Sequence, residues 1–175
     1  MSCIQTLSGI ARDCAPSMGG IVEVFIAPAA AVTSLTLTSG IITAITLDSS
    51  DPSYTFHPYQ FPRNTGSLSS NYTFDETTGA RFVVSDLVMV FTKMETAKRV
   101  EIQALALGDA VAIVKDANGK YWYLGKDAPL TPTAGDGLTG TARTDRNGYS
   151  ITLQDNSLEL PFEVDEAAVN SVVTP

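Results

Sequence analysis

Few residue groups in this sequence spell a known chemistry. Gly135-Asp-Gly137-Leu-Thr-Gly140 has the letters of a dinucleotide fingerprint, whose glycines let the backbone approach a pyrophosphate at a helix N-terminus. It follows a Pro-containing stretch and leads to a strand, with no βαβ unit around it, and so reads as a loop. Gly119-Lys120 and Gly125-Lys126 lack the upstream glycine spacing and the following hydroxyl of a phosphate loop. Asp116-Ala-Asn118-Gly119 opens like a calcium loop but lacks the fifth-position ligand, the sixth-position Gly and the closing Glu, which leaves a turn. His57 is the sole histidine and has no Gly-x-Ser-x-Gly elbow to serve, so it reads as a surface or packing residue. Adjacent carboxylates, Asp75 with Glu76 and Asp165 with Glu166, diverge in a turn and a tail, whereas acid–base pairs must converge in a pocket. Cys3 and Cys14 with one His are too few for a structural zinc site; a disulfide between them is left open. Tyr121-Trp122-Tyr123 suggests a stacking platform, but alternation along a strand sends Trp122 to the face opposite its neighbours, and core packing is the simpler use. Asn71-Tyr-Thr73 spells a glycosylation triplet in mid-strand and is treated as chance. No catalytic residue, cofactor site or metal site is expected.

The composition points away from catalysis and toward assembly. The 175 residues carry 19 acidic and 11 basic side chains, a formal charge of −8, so phosphate binding would have to overcome net repulsion. Only 17% of residues are charged while 44% are hydrophobic, and the mean hydropathy is +0.10. That is too apolar for a disordered chain and suggests surface buried between subunits. Thr, Val and Ile make up 44 of the 175 residues, the β-branched enrichment of pleated, half-buried surfaces. The longest uncharged apolar run, nine residues from Val24 to Val32, is far short of the roughly 20 that span a bilayer. No export signal is evident at the N-terminus. The expectation is one β domain over residues 1–175, made in the cytoplasm, with no membrane partner.

Residues 21–47 read as two or three strands and residues 48–66, dense in Pro, Asp and Gly, as a surface connection with at most a short extended piece at 54–56. Two alternating stretches flanking Asp75-Glu-Thr-Thr-Gly79 predict a long hairpin over about 67–93. Ser67, Ser69, Asn71, Thr73 and Asp75 share its wet face, joined by Ser85 from the second arm, and Leu68, Tyr72 and Phe74 share the buried one. With the turn centred on Thr77 and Thr78, partner numbers sum to about 156, which sets Asp75 beside Arg81 and Phe74 beside Phe82. A slip of one residue would undo both pairs.

Thr92-Lys-Met-Glu95 has the form of a capping box and predicts a single helix over about 93–107, with Ala97, Val100, Ala104 and Leu107 as its apolar stripe, a Glu95–Arg99 pair, and Gly108 as its stop. Asn118-Gly119 and Asn147-Gly148, each following an Asp, predict two hairpin turns of one design. Residues 126–142 read as an exposed loop, 158–164 as an edge strand broken at Pro161, and 1–20 and 165–175 as extended or mobile ends. The fold class expected is mainly β: a sandwich or barrel with one flanking helix.

Met94-Glu-Thr-Ala-Lys-Arg-Val-Glu-Ile-Gln-Ala-Leu105, Ile113-Val-Lys-Asp-Ala-Asn-Gly-Lys-Tyr-Trp122 and Gly140-Thr-Ala-Arg-Thr-Asp-Arg-Asn-Gly-Tyr149, in that order, resemble a pattern of the tail tube proteins (major tail proteins) of tailed bacteriophages, Bacteroidetes-phage type. Arg12-Asp-Cys-Ala-Pro-Ser-Met-Gly-Gly-Ile21 is similar to their N-terminal segment. The resemblance implies six copies per ring, long hairpins closing into a continuous inner barrel, and rings stacked into a tube that conducts viral DNA without binding it. The implied partners are further copies of the chain, other tail proteins and the passing DNA; the implied location is the virion tail. Ser67, Ser69, Asn71, Thr73, Asp75 and Ser85 would then line the lumen, and loops 48–66 and 126–142 would reach between rings. Another virion structural protein, such as a capsid decoration or tail-end protein, and a secreted carbohydrate-binding module are the competing readings.

Overall fold

The computed structural model describes residues 9–12 and 14–173. The chain is mainly β: β1 (Ile21–Pro28), β2 (Val32–Thr38), β3 (Ile41–Leu47), β4 (His57–Tyr59), β5 (Ser67–Asp75), β6 (Ala80–Thr92), α1 (Thr96–Leu107), β7 (Ala110–Asp116), β8 (Tyr121–Leu124), β9 (Thr131–Leu138), β10 (Gly148–Ser157), β11 (Phe162–Val164) and α2 (Glu166–Val172). The strands form two open sheets, one of seven in the order β2-β3-β11-β8-β7-β1-β4 and one of four in the order β5-β6-β10-β9.

Alternation along the strands decides the layering. In β1, Val24 and Ile26 point one way and Phe25 and Ala27 the other; in β7, Ala110, Ala112 and Val114 oppose Val111 and Ile113, and all nine are buried. Strands that are apolar on both faces must be covered twice. One face of the seven-stranded sheet packs against Leu87, Met89, Phe91, Ile151 and Leu153 of the smaller sheet. The other is covered by Ala168, Val169 and Val172 of α2 together with Ala31 and Phe56. The result is a sandwich with a second core beneath it.

Several expectations are corrected. The end from Asp165, expected as a mobile tail, holds α2, whose Ala168, Val169 and Val172 fall at the 3–4 spacing of a buried helix face. Residues 126–142, expected as a loop, contain β9, an edge strand in which Pro132 sits opposite Leu153 at a register shift in its pairing with β10, the kind of place a sheet tolerates proline. β11 lies between β3 and β8 rather than at an edge, pairing parallel with one and antiparallel with the other. The short extended piece expected at 54–56 lies instead at His57–Tyr59, as β4, and Phe56 before it is fully buried. Of the N-terminal segment, residues 9–12 and 14–20 carry no strand or helix and are exposed.

The hairpin forms with its turn where expected, and a turn centred on Thr77 and Thr78 makes its partners sum to 155, not 156: Ser67 faces Val88, Asn71 faces Val84, Phe74 faces Arg81 and Asp75 faces Ala80. Asp75 therefore does not sit beside Arg81, nor Phe74 beside Phe82. The odd sum also moves Ser85. Its partner is Ser70 rather than Asn71, its hydroxyl lies 2.7 Å from that of Ser70, and at 1% exposure it belongs to the buried face.

The helix α1 begins at Thr96, later than the capping box implied. Thr92 is still paired with Gly148 in the sheet, so its backbone belongs to the ladder. Glu95 occupies the N-cap position without a side-chain cap bond, and its carboxylate pairs with Lys93 and Lys98 rather than with Arg99. The stripe Ala97, Val100, Ala104 and Leu107 faces solvent; the inward face holds Ile102 and the buried Leu105. Gly108 ends the helix as expected, its N–H donating to the Ala104 carbonyl.

Candidate assembly surfaces

The solvent-facing side of the four-stranded sheet is built by the registers of its three strand pairs. Ser67, Ser69, Asn71 and Thr73 of β5 lie beside Val88, Asp86, Val84 and Phe82 of β6. Thr152, Gln154 and Asn156 of β10 complete the rows on the far side of Val88, Asp86 and Val84. Ser67, Ser69, Asn71 and Asp75 are exposed and Thr73 is half-buried. The Gln154 amide donates to Asp86 at 2.8 Å across two strands. At the β9 edge, Asp136 accepts from Ser150 at 2.8 Å and from Arg146 at 2.6 Å, and these contacts hold its carboxyl below the ordinary carboxylate range, Ser150 contributing most. The four strands together contain no lysine and one arginine, Arg81, which lies on the opposite face beside Phe74. This side is thus polar at its margins, lined by valines along β6, and carries Asp75, Asp86 and Asp136 with no basic residue from its own strands.

Among the described residues, both edges of this sheet are open. β5 bounds one side and β9 the other, and because every neighbouring pair is antiparallel the two edge strands run in opposite directions. Unpaired edge ladders are templates for pairing with another chain. In β9 all eight residues are exposed, and the glycines of Gly135-Asp-Gly137 lie within this strand; they form no phosphate loop. The hairpin overhangs its sheet. β10 stops pairing with β6 at Val83, so Thr73–Asp75 and Ala80–Phe82 extend as a two-stranded ribbon. On its inward face Tyr72 and Phe74, expected to be buried, lie at and past the end of β10 and are 53% and 66% exposed, stacked with centroids 5.7 Å apart. At its turn Asp75 accepts from the N–H groups of Thr77 and Thr78, contacts that lower its carboxyl pKa, the Thr78 side chain contributing most.

The two Asn-Gly sequences do different work. Asn118-Gly119 is the expected tight turn between β7 and β8, with Gly119 at φ 82° and Asp116 accepting from the N–H groups of Asn118 and Lys120 and from the Trp122 indole. Asn118 also clasps Met18 through both its backbone groups, fixing where the N-terminal segment meets the sheet. Asn147-Gly148 instead lies at the entry to β10, nine residues after β9 ends. Asn147 accepts from the N–H groups of Lys93 and Met94, tying β10 to the β6–α1 junction. Gly148 is required by proximity: a Cβ there would lie 1.9 Å from the Phe91 carbonyl oxygen.

The remaining chemical candidates are dispersed. Tyr121 and Tyr123 are buried and Trp122 is half-buried with its N–H on Asp116, so the three offer no aromatic platform. His57 is exposed on β4, and the described residues contain no group of three or more His, Cys, Asp or Glu placed to hold a metal ion. Cys14 is exposed, and Cys3 lies outside the described residues. Among the described residues no helix is long and apolar enough to cross a membrane. Comparison with protein-family models, with curated proteins and with solved structures gave no match.

Proposed function

We propose that this chain is the structural subunit of a phage tail tube, a non-enzymatic protein of the virion tail made in the cytoplasm of the host bacterium. The observation that carries the reading is the four-stranded sheet: an even number of antiparallel strands, two free edges of opposite direction among the described residues, and a solvent face to which its own strands contribute no basic residue. When copies are related by rotation about one axis, β9 of each meets β5 of the next, and the alternation of strand directions continues unbroken around the ring. Six copies give a 24-stranded barrel with Ser67, Ser69, Asn71, Thr73 and Asp75 on its inner wall. With strands ~4.8 Å apart and tilted about 40°, its backbone diameter is ~48 Å, wide enough to pass a duplex. An inner wall bearing Asp75, Asp86 and Asp136 releases no counterions from DNA and lets it slide. The single chain leaves two edges exposed that closure removes, which also accounts for its low charge fraction.

The test is negative-stain electron microscopy of the purified protein over a range of concentrations, with light scattering alongside. Rings or hollow tubes of uniform bore are the expected result. Discrete oligomers that never stack would instead identify another virion component, and a monomer at all concentrations would count against assembly through these edges.

A further inference from the structure

We infer that the overhanging hairpin tip is the stacking element, and that its Tyr72–Phe74 face seats in a groove at the opposite end of a second copy. This deepens the tube reading by naming the contact between rings, and it rests on the chain associating with itself.

The groove lies between β4 and α1. Pro58, Tyr59, Phe91, Ala97 and Ile102 line it, His57, Gln60, Lys98 and Glu101 stand at its rim, and its volume is about 410 Å³. Its floor is aromatic, with the Tyr59 and Phe91 rings tilted at 6.4 Å, and the Tyr59 hydroxyl donates to Glu101 at 3.2 Å. Room for two rings, an apolar lining and a polar rim are what an anchor of two stacked aromatics requires.

Strand β6 places tip and groove. It runs 13 residues from Ala80 at the tip to Thr92 beside the groove, and from Arg81 to Phe91 it covers ~33 Å at about 3.3 Å per residue. Tyr72, Phe74 and Phe91 all belong to the inward face of the hairpin. A translation along β6 therefore carries the tip of one copy to the groove end of the next with the correct face presented. Such a head-to-tail contact does not close on itself and propagates as a stack.

The charges permit this polarity. The turn carries Asp75 and Glu76, with Arg81 beside Phe74 on the docking face. The groove rim presents Lys98 next to Glu101. Glu76 at the tip and Lys98 at the rim are the opposite charges this contact brings together.

Two measurements on the full chain test this. Tyr72→Ser combined with Phe74→Ser removes the anchor at exposed positions, and circular dichroism reports whether the fold persists; the expected result is a drop of at least tenfold in mean stack length, with single rings surviving. In the second, Cys3 and Cys14 are replaced by Ser, Glu76→Cys is placed in one preparation and Gln60→Cys in another, and a short bismaleimide is added. A cross-linked dimer formed only in the mixture is expected. A mixed cross-link with chains of subunits but no rings would keep this contact and overturn the tube. Tubes of wild-type length from the Ser variant, with no mixed cross-link, would overturn this contact and keep the tube. A folded protein that neither stacks nor cross-links at any concentration would overturn the inference.

Discussion

Single residues show where local chemistry and packing disagree. Asp155 points into the sandwich at 3% exposure; its Oδ2 accepts from Ser157 and from the Gly125 N–H, and its Oδ1 has no hydrogen-bond partner among the described residues. Burial, joined by the charge of Asp127, pushes its carboxyl above the ordinary value despite those two donors. The folded state therefore holds this proton more tightly than the unfolded state does. Its contribution to stability is fully present below the unfolded value of about 3.9 and is lost as pH rises through the folded value. Asp155→Asn should raise stability at pH 7, because the amide oxygen can still accept from Ser157 and the Gly125 N–H while no charge remains to be desolvated. It should also flatten the acid-side slope that Asp155 contributes; urea midpoints measured from pH 3 to 7 in both proteins check this, and an unchanged or lower midpoint at pH 7 would refute it. Nothing in Gln154-Asp-Asn-Ser157 announces a buried carboxylate, because four consecutive polar residues read as surface. Alternation hides two of them.

At the scale of elements, the hairpin and α1 show what a one-residue or one-face error does. Both arms of the hairpin, its turn and the wet face of β5 were legible from alternation and from Gly79. The register was missed by one residue: a turn centred on Thr77 and Thr78 requires a sum of 155, a sum of 156 would centre it on Thr78 alone, and the difference reverses which residues of β6 share a face with Ser67. Ser85 followed that register into the core. In α1 the 3.6-residue period was legible, but two apolar stripes compete, one through Val100 and Leu107 and one through Ile102 and Leu105. The structure buries the second, leaving Leu107 82% exposed. Leu105→Ala should then cost about 2–5 kcal/mol, while Leu107→Ser should change stability by less than about 0.5 kcal/mol. Thermal denaturation of the two variants measures the difference; equal losses would mean that both stripes are packed.

For the whole molecule, the proposed ring makes the field along its inner wall the relevant quantity. The four strands of the smaller sheet lack lysine altogether, so Ser69→Lys with Asn71→Lys places two cations per copy on an otherwise acidic wall without touching the core. Assembled tubes of this variant should retain duplex DNA at low salt and release it as salt rises, whereas wild-type tubes should retain none. Intact variant tubes that hold no DNA would show that β5 does not face the bore. The seven-stranded sheet takes no part in this surface; its central strands are packed on both faces, one of them against the smaller sheet.

From the sequence alone came the mainly β class, the strand at nearly every β-branched run, the hairpin and its turn, the flanking helix with its end at Gly108, the tight Asn118-Gly119 turn and the polar face of β5. These rest on periods of 2 and 3.6 and on residues that control φ, all of them local properties. Only the tertiary structure decided the register of β6, the buried face of α1, the docking of α2, the strand made from Thr131–Leu138 and the insertion of β11 between β3 and β8. Each of those depends on which distant surface is available to cover an apolar face or to pair with a free ladder, and that is settled by contacts between residues far apart in the chain.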